Sequence, residues 1–161
     1  MQVIELYVGT DLRGPAKGEG RTIYILRTTL KNGKPYESQP EAAAFENATE
    51  SRLVLYAIRD ALQRMNYACE VVVYTECSAV AAAINQHWPE TWQENGWRNA
   101  KGKDAKDADL WGQILRSLEE SGHLLRAESG KHEWSGWMHW KLPLTSPLLN
   151  TFKKLQKEPQ N

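Results

Sequence analysis

Residues 88–111, WPETWQENGWRNAKGKDAKDADLW, place three indoles (Trp88, Trp92, Trp97) ahead of a run of cations (Arg98, Lys101, Lys103, Lys106) and close on Asp109-Leu110-Trp111. Lysine and arginine gain affinity for a phosphate backbone by releasing its counterions, and flat indoles give walls on which a sugar or base can lie. The same residues also suit a plainer role, with the tryptophans as the core of a protrusion and the lysines solvating its tip. Composition leaves both open. Two carboxylates stand out elsewhere. Glu76 follows the apolar run CEVVVYT, at the carboxyl end of a predicted central strand, where α/β sheets commonly hold ligands. It is also placed to be an ordinary acid at a helix N-terminus. Glu50 lies one turn before Leu53 on the apolar face of a predicted helix, where a lone carboxylate is costly unless it meets a metal or a donor. A capping box with Asn47, three residues earlier, is the alternative.

The elements that must position these groups follow from periodicity. Residues 3–8 alternate as a half-buried strand and run into a polar, glycine-rich loop, residues 9–20. A second strand is expected over 22–30, a two-residue Asn32-Gly33 turn after it, and a short third strand over 34–38 with Pro35 at an edge. Residues 40–45 read as a loose segment. Asn47 then caps a helix whose apolar positions Leu53, Val54, Ala57, Ile58, Ala61, Leu62 and Met65 recur at helical spacing. The β-branched run 69–75 predicts a strand covered on both faces, and helices are expected over 79–84 and from Leu110 to Leu118, with a fifth strand at 123–127. This order gives an α/β fold with a mixed five-stranded sheet flanked by helices. Residues 1–143 read as one domain. Residues 144–161 read as a C-terminal extension with a short amphipathic helix (Leu148, Leu149, Phe152, Leu155) and a frayed tail.

The chain has 161 residues, long enough for a real core, and 20 basic against 20 acidic residues, so any affinity for a polyanion must come from a local patch. Two cysteines, Cys69 and Cys77, lie at either end of one predicted strand and read as free thiols of a reducing compartment without a catalytic role. No basic leader and no run of eighteen apolar residues occurs, so a cytoplasmic, membrane-free and monomeric protein is expected.

Residue by residue, the Trp-rich stretch resembles the basic protrusion, or handle, of type 1 ribonuclease H. The family pattern W…W…(K)GW(K)…A…K…VKN.DLW is met by Trp88, Trp92, Gly96-Trp97, Ala100, Lys103, Lys106 and Asp109-Leu110-Trp111 without a gap. The resemblance spans roughly residues 3–140. It implies a ribonuclease H-like fold, a handle that grips the DNA strand of an RNA/DNA hybrid through Trp92, Trp97, Arg98, Lys101, Lys103 and Lys106, and cleavage of the RNA strand with Mg²⁺ or Mn²⁺. Such cleavage needs several carboxylates around two ions about 3.5–4 Å apart.

The family draws those acids from the end of the first strand, the first helix, the end of the fourth strand and the start of the last helix. Glu76 in Tyr74-Thr-Glu-Cys77 stands where the family has Thr-Asp-Ser, and Glu50 is the first-helix candidate. At the first strand the family's Tyr/Phe-Thr-Asp-Gly-Ser becomes Tyr7-Val8-Gly9-Thr10-Asp11, which puts Gly9 in the place of the bridging acid. Asp11, two residues on, is either the substitute or a turn-former. His132-Glu133 resembles the family's mobile histidine, with Glu133 as a possible replacement for the missing final aspartate; Trp137 and Met138 read as core. The implied metal set is therefore Glu50, Glu76 and Asp11, with His132 and Glu133 assisting. If Glu50 and Glu76 frame a cavity, Gly9→Asp is expected to restore a ligand. The competing expectation is a binding module of the same family that no longer cuts.

Overall fold

The computed structural model of the chain describes residues 1–144. Four strands come first, β1 (Gln2–Thr10), β2 (Gly18–Thr29), β3 (Pro35–Glu37) and β4 (Glu41–Ala48), and lead into α1 (Glu50–Leu62). There follow β5 (Cys69–Thr75), α2 (Ser78–Asn85), α3 (Trp88–Glu94), α4 (Ala108–Ser121), β6 (Leu124–Ser129) and α5 (Ser135–Lys141), with a 3-10 turn at Leu142–Leu144. The sheet order is β3-β2-β1-β5-β6, and β4 also pairs with β2. β1 runs antiparallel to β2 and parallel to β5, which is parallel to β6.

The sheet thus has six strands where periodicity predicts five. Residues 41–48 (EAAAFENA) have little intrinsic strand preference, yet they pair with residues 18–24 of β2. β3 pairs with Arg27–Thr29 further along that edge, so two short strands share one side of β2 end to end. Tertiary pairing overrides propensity here. Two local expectations also change. Only Gly33 of the hairpin turn has positive φ (83°), and Gly33 N donates to Leu30 O while Leu30 N donates to Lys34 O, which makes the turn three residues long. Thr49, not Asn47, caps α1: its hydroxyl accepts from Arg52 N at 3.2 Å, while Asn47 sits at φ 52°. No Asn47–Glu50 capping box forms.

Alternation along β1 divides the core between the two faces of the sheet. Leu6 and Val8 pack with Tyr24, Val71 and Val73 against α1, α2 and α4, whereas Tyr7, Ile23 and Ile25 meet Met138 of α5 and Leu142. α1 is held by a buried polar knot as well as by its apolar face: Tyr24 donates its hydroxyl to Asp60 at 2.5 Å, and Arg64 reaches both Asp60 and Glu41. Burial pushes the Asp60 carboxyl up against the opposing pull of Tyr24 and Arg64. Arg52 clamps α1 to the start of α4 through Asp107 (3.0 Å) and Asp109 (2.7 Å), which fixes the connection carrying the basic residues.

Cys69 and Cys77 are both buried and unpaired. Among the described residues no helix is long and apolar enough to cross a membrane. The expected helix at Leu148–Leu155 and all of the 144–161 extension beyond Leu144 lie outside the described residues.

Candidate functional site

The carboxyl ends of β1 and β5 are neighbours in the parallel pair, so residues leaving them share one end of the sheet. Glu76 leaves β5 there, and Glu50 opens α1 from above it. Both acids converge on a third residue, Arg13, from the loop after β1. Its Nη1 lies 3.9 Å from Glu50 Oε2 and its Nη2 lies 3.7 Å from Glu76 Oε1. The guanidinium is aimed by the loop itself, with Nη1 donating to Thr10 O at 2.9 Å, Thr10 Oγ1 at 3.0 Å and Leu12 O at 3.0 Å. Glu50 Oε1 additionally accepts Gly14 N at 3.0 Å.

His139, from α5, closes the other side. Its Nε2 lies 2.8 Å from Glu76 Oε2. The same nitrogen lies 3.3 Å from Arg13 Nη2, so the imidazole sits between the guanidinium and the carboxylate. Burial raises the Glu76 carboxyl, but the His139 hydrogen bond, together with the charges of His139 and Arg13, outweighs it and holds the group below the usual carboxylate range.

Gly9 lies on the face of β1 that meets α5. A Cβ added there would stand 2.8 Å from both Cβ and Sδ of Met138, which is fully buried. The thioether therefore takes up the space an acid at position 9 would need, and no cavity framed by Glu50 and Glu76 is open to that residue. The crevice along Gly9, Thr10, Arg13 and Glu76 is closed to a water-sized sphere.

The remaining residues singled out from the sequence lie apart from this pair. Asp11 holds Arg21, accepting its backbone N–H at 2.6 Å and its guanidinium at 3.0 Å, which is the turn-forming role. Glu133 forms a two-pronged pair with Arg27 (2.6 and 2.7 Å) and accepts the Tyr7 hydroxyl at 3.1 Å; the Arg27 bonds hold its carboxyl below the usual range. His132 is engaged at both ring nitrogens, Nε2 donating to Val8 O at 2.9 Å and Nδ1 accepting Trp134 N at 3.2 Å. One nitrogen donating and the other accepting is the pattern of a neutral imidazole, and burial lowers its pKa. Among the described residues no group of three or more His, Cys, Asp or Glu is disposed to hold a metal ion. The donor set does not fit a two-metal centre: two carboxylates are present, and both already face cationic or donor groups of the chain.

The handle is the second part of the site. α3 ends on two successive left-handed residues, Gly96 (φ 67°) and Trp97 (φ 62°), and Trp97 N closes onto Trp92 O at 2.6 Å. The chain then folds back on itself: Arg98 bridges Asp104, Asn99 N donates to Lys103 O, and the Asn99 side chain accepts from Lys101 N and Lys103 N at 2.9 and 3.1 Å. Ala105 is buried and anchors the return.

Trp92 meets buried Trp111 edge-on at 6.5 Å, and Trp97 packs on the same core, so these two indoles are half-buried supports; Trp88 is the more exposed, at 44 %. Lys101, Lys103 and Lys106 are exposed, and none is in an ion pair among the described residues, while Arg98 pairs with Asp104 at 3.5 Å. Lys106 and Glu50 both act electrostatically on the Cys77 thiol, which burial pushes up, so the base of the handle and the acid pair border the same end of β5.

Arg13, Met138 and His139 went unrecognised as members of this centre in the sequence. The one signal for Arg13 is a lone cation in the Gly/Pro-rich loop after the first strand; His139 carries no signal beyond its place in an aromatic cluster where an acid is missing.

Residues 14–125 match the family model described as RNase H. The ribonuclease H of Caldicellulosiruptor saccharolyticus is 32 % identical over 120 residues, covering 74 % of this chain and 77 % of that one. Among solved structures, LC9-RNase H1, described as a type 1 RNase H with the type 2 active-site motif, superposes with a TM-score of 0.71 over 99 % of this chain and 82 % of its own, at 12 % identity. The foamy viral protease-reverse transcriptase in complex with an RNA/DNA hybrid gives a TM-score of 0.61 at 19 % identity, over 80 % of this chain and 17 % of that one. The mixed sheet with its flanking helices is therefore the ribonuclease H-like fold, and the chain belongs to the ribonuclease H family.

Proposed function

We propose that the chain binds RNA/DNA hybrid through the loop joining α3 and α4, and does so without two-metal hydrolysis of the RNA strand. The observation that carries this reading is the contrast between the two halves of the site. Three exposed lysines, without ion-pair partners among the described residues, ride on a hydrogen-bonded loop, which keeps their charge available to phosphates. The acid centre, by contrast, offers two carboxylates engaged by Arg13 and His139, with Met138 over Gly9. The family match covers Glu50, Glu76 and the handle. The solved relative bound to a hybrid supports the partner class. A cytoplasmic, monomeric protein accords with this reading.

A second reading, a slow nuclease dependent on Mg²⁺ or Mn²⁺, is favoured by one observation: Glu50 and Glu76 still face the same point. In it these two acids would hold the ion, and the ion would supply an activated water.

Titration of labelled hybrid, single-stranded RNA and single-stranded DNA at two salt concentrations, with cleavage followed in parallel with either ion, separates the readings. Hybrid is expected to bind most tightly and to remain uncut. Replacing Lys101, Lys103 and Lys106 together by Ala should flatten the salt dependence by about one unit of log–log slope per lost phosphate contact. Affinity indifferent to salt, or unchanged in the triple variant, refutes the handle as the interface; cleavage that vanishes in Glu76→Gln establishes the nuclease instead.

A further inference from the structure

We infer that Arg13 is the resident cation of the acid pair, a guanidinium of the chain itself standing in for the divalent ion that Glu50 and Glu76 would otherwise bind, with His139 touching both Arg13 and Glu76. The inference concerns the non-catalytic half of the proposed function and is independent of whether hybrid is the partner.

The placement of the guanidinium supports it first. One nitrogen of Arg13 approaches Glu50 and the other approaches Glu76, 3.9 and 3.7 Å away, so the planar group spans the two acids instead of pairing with either alone. Those separations are longer than a tight bidentate pair, because Nη1 spends its donors on Thr10 O, Thr10 Oγ1 and Leu12 O. The backbone of the β1–β2 loop therefore fixes where the charge sits, as ligands fix a metal. Glu50 is bound back to the same loop through Gly14 N.

The charges come next. Two carboxylates face one obligatory cation, whose side chain is 46 % exposed, and one imidazole, whose Nε2 lies 2.8 Å from Glu76 Oε2 and 3.3 Å from Arg13 Nη2. The side chains of Glu50 and Glu76 are 14 % and 20 % exposed, so both are partly withdrawn from solvent beside the guanidinium. On the side of position 9 the pair is closed: a bridging ligand there is excluded by Met138, and the crevice beside it admits no water-sized sphere. A divalent ion would thus have to displace a charge already tethered at high effective concentration.

The test is calorimetric titration of Mn²⁺ and Mg²⁺ into the protein without nucleic acid, with melting followed in chelator and in excess ion. Wild type should show no site at the acid pair and no stabilisation by either ion. Arg13→Ala should melt lower in chelator, acquire one Mn²⁺ site, and regain stability as the ion is added, with affinity at least about tenfold above wild type, since a unit charge within ~4 Å of each acid has gone. Arg13→Ala combined with Glu50→Gln and Glu76→Gln should lose that site. If Arg13→Ala fails to fold, Arg13→Gln, which keeps an amide donor for Thr10 O, carries the same expectation. Wild type binding the ion as tightly as the Arg13 variant, or the Arg13 variants gaining no site, overturns the inference; a site that survives loss of both carboxylates overturns it too. Each result holds whether or not the chain binds hybrid.

Discussion

Gly9 and Met138 are coupled by a close approach that can be measured as an interaction energy. A methyl group at position 9 would meet Met138 Cβ and Sδ at 2.8 Å and Cγ at 3.3 Å. The sulfur lies at the flexible end of its side chain, but Cβ moves only with α5, and Gly9 is fixed by its pairing with Ile23. Overpacking of this kind costs about 1–3 kcal/mol. The loss of glycine's unfolded-state freedom returns about 0.4–1 kcal/mol, so Gly9→Ala should destabilise by about 1–2 kcal/mol net. Met138→Ala should cost about 2–5 kcal/mol, because it empties a fully buried site. In the double variant the contacts with Sδ and Cγ are gone while that with Cβ remains, so the cost of Gly9→Ala should shrink without vanishing. The double variant should therefore be more stable than the sum of the single costs implies, with a favourable coupling of at least about 0.5 kcal/mol. Urea unfolding followed by far-ultraviolet circular dichroism, with m-values checked across the cycle, reads this directly. Additivity within about 0.5 kcal/mol would show that the missing side chain at position 9 has nothing to do with α5. The same geometry reverses the expectation from the sequence that Gly9→Asp restores a ligand: the carboxylate would be forced against Met138, and the variant should be less stable without gaining cleavage.

Arg52→Ala should destabilise by about 1.5–3 kcal/mol, since it removes charged hydrogen bonds to Asp107 and Asp109 and leaves the sheltered Asp107 unpaired; an unchanged melting temperature would mean the clamp between α1 and α4 contributes nothing. Replacing Cys69 and Cys77 by Ser should cost about 1–3 kcal/mol per buried hydroxyl without altering hybrid affinity, as checked by melting and titration; loss of binding in a folded double variant would assign the thiols a role. Burial lowers the pKa of His123 and His132, so the unfolded chain takes up their protons first: stability should be full above the ordinary histidine pKa of about 6.5 and fall as pH drops through it toward the depressed folded values. Substituting both by uncharged residues should flatten that part of the stability–pH curve, and an unaltered slope refutes the assignment.

The layout of the fold was legible because it is written in period. Alternation in β1, the β-branched run of β5 and the helical spacing from Leu53 to Leu62 each follow from which face is buried, and the structure buries those faces. β4 was not legible, since Ala42-Ala-Ala44 favours no strand, and only the free edge of β2 makes it one. The pairing of Glu50 with Glu76 was anticipated only through the family resemblance, since each acid taken alone also suits a helix terminus. What fills the space between them could not be anticipated, because Arg13, Met138 and His139 come from a loop and a C-terminal helix whose approach depends on three-dimensional packing and has no spacing in the sequence.

That packing also explains why a handle can persist while the acid centre changes. The basic loop is supported by Trp92, Trp97 and Ala105, by Asn99, and by the Arg52 clamp, none of which touches Arg13, His139 or Met138. The acid pair shares α1 with that clamp but also draws on the opposite face of the sheet, where α5 presses on Gly9 and supplies His139, and on the loop that delivers Arg13. Changes on that face therefore alter ligand charge without disturbing the spacing of Lys101, Lys103 and Lys106. On the reading proposed above, two partly sheltered carboxylates without an ion are served by a cation of the chain beside them. A guanidinium is suited to that place: it stays charged at any accessible pH, spans two acids with separate nitrogens, and is aimed by three bonds to its own loop.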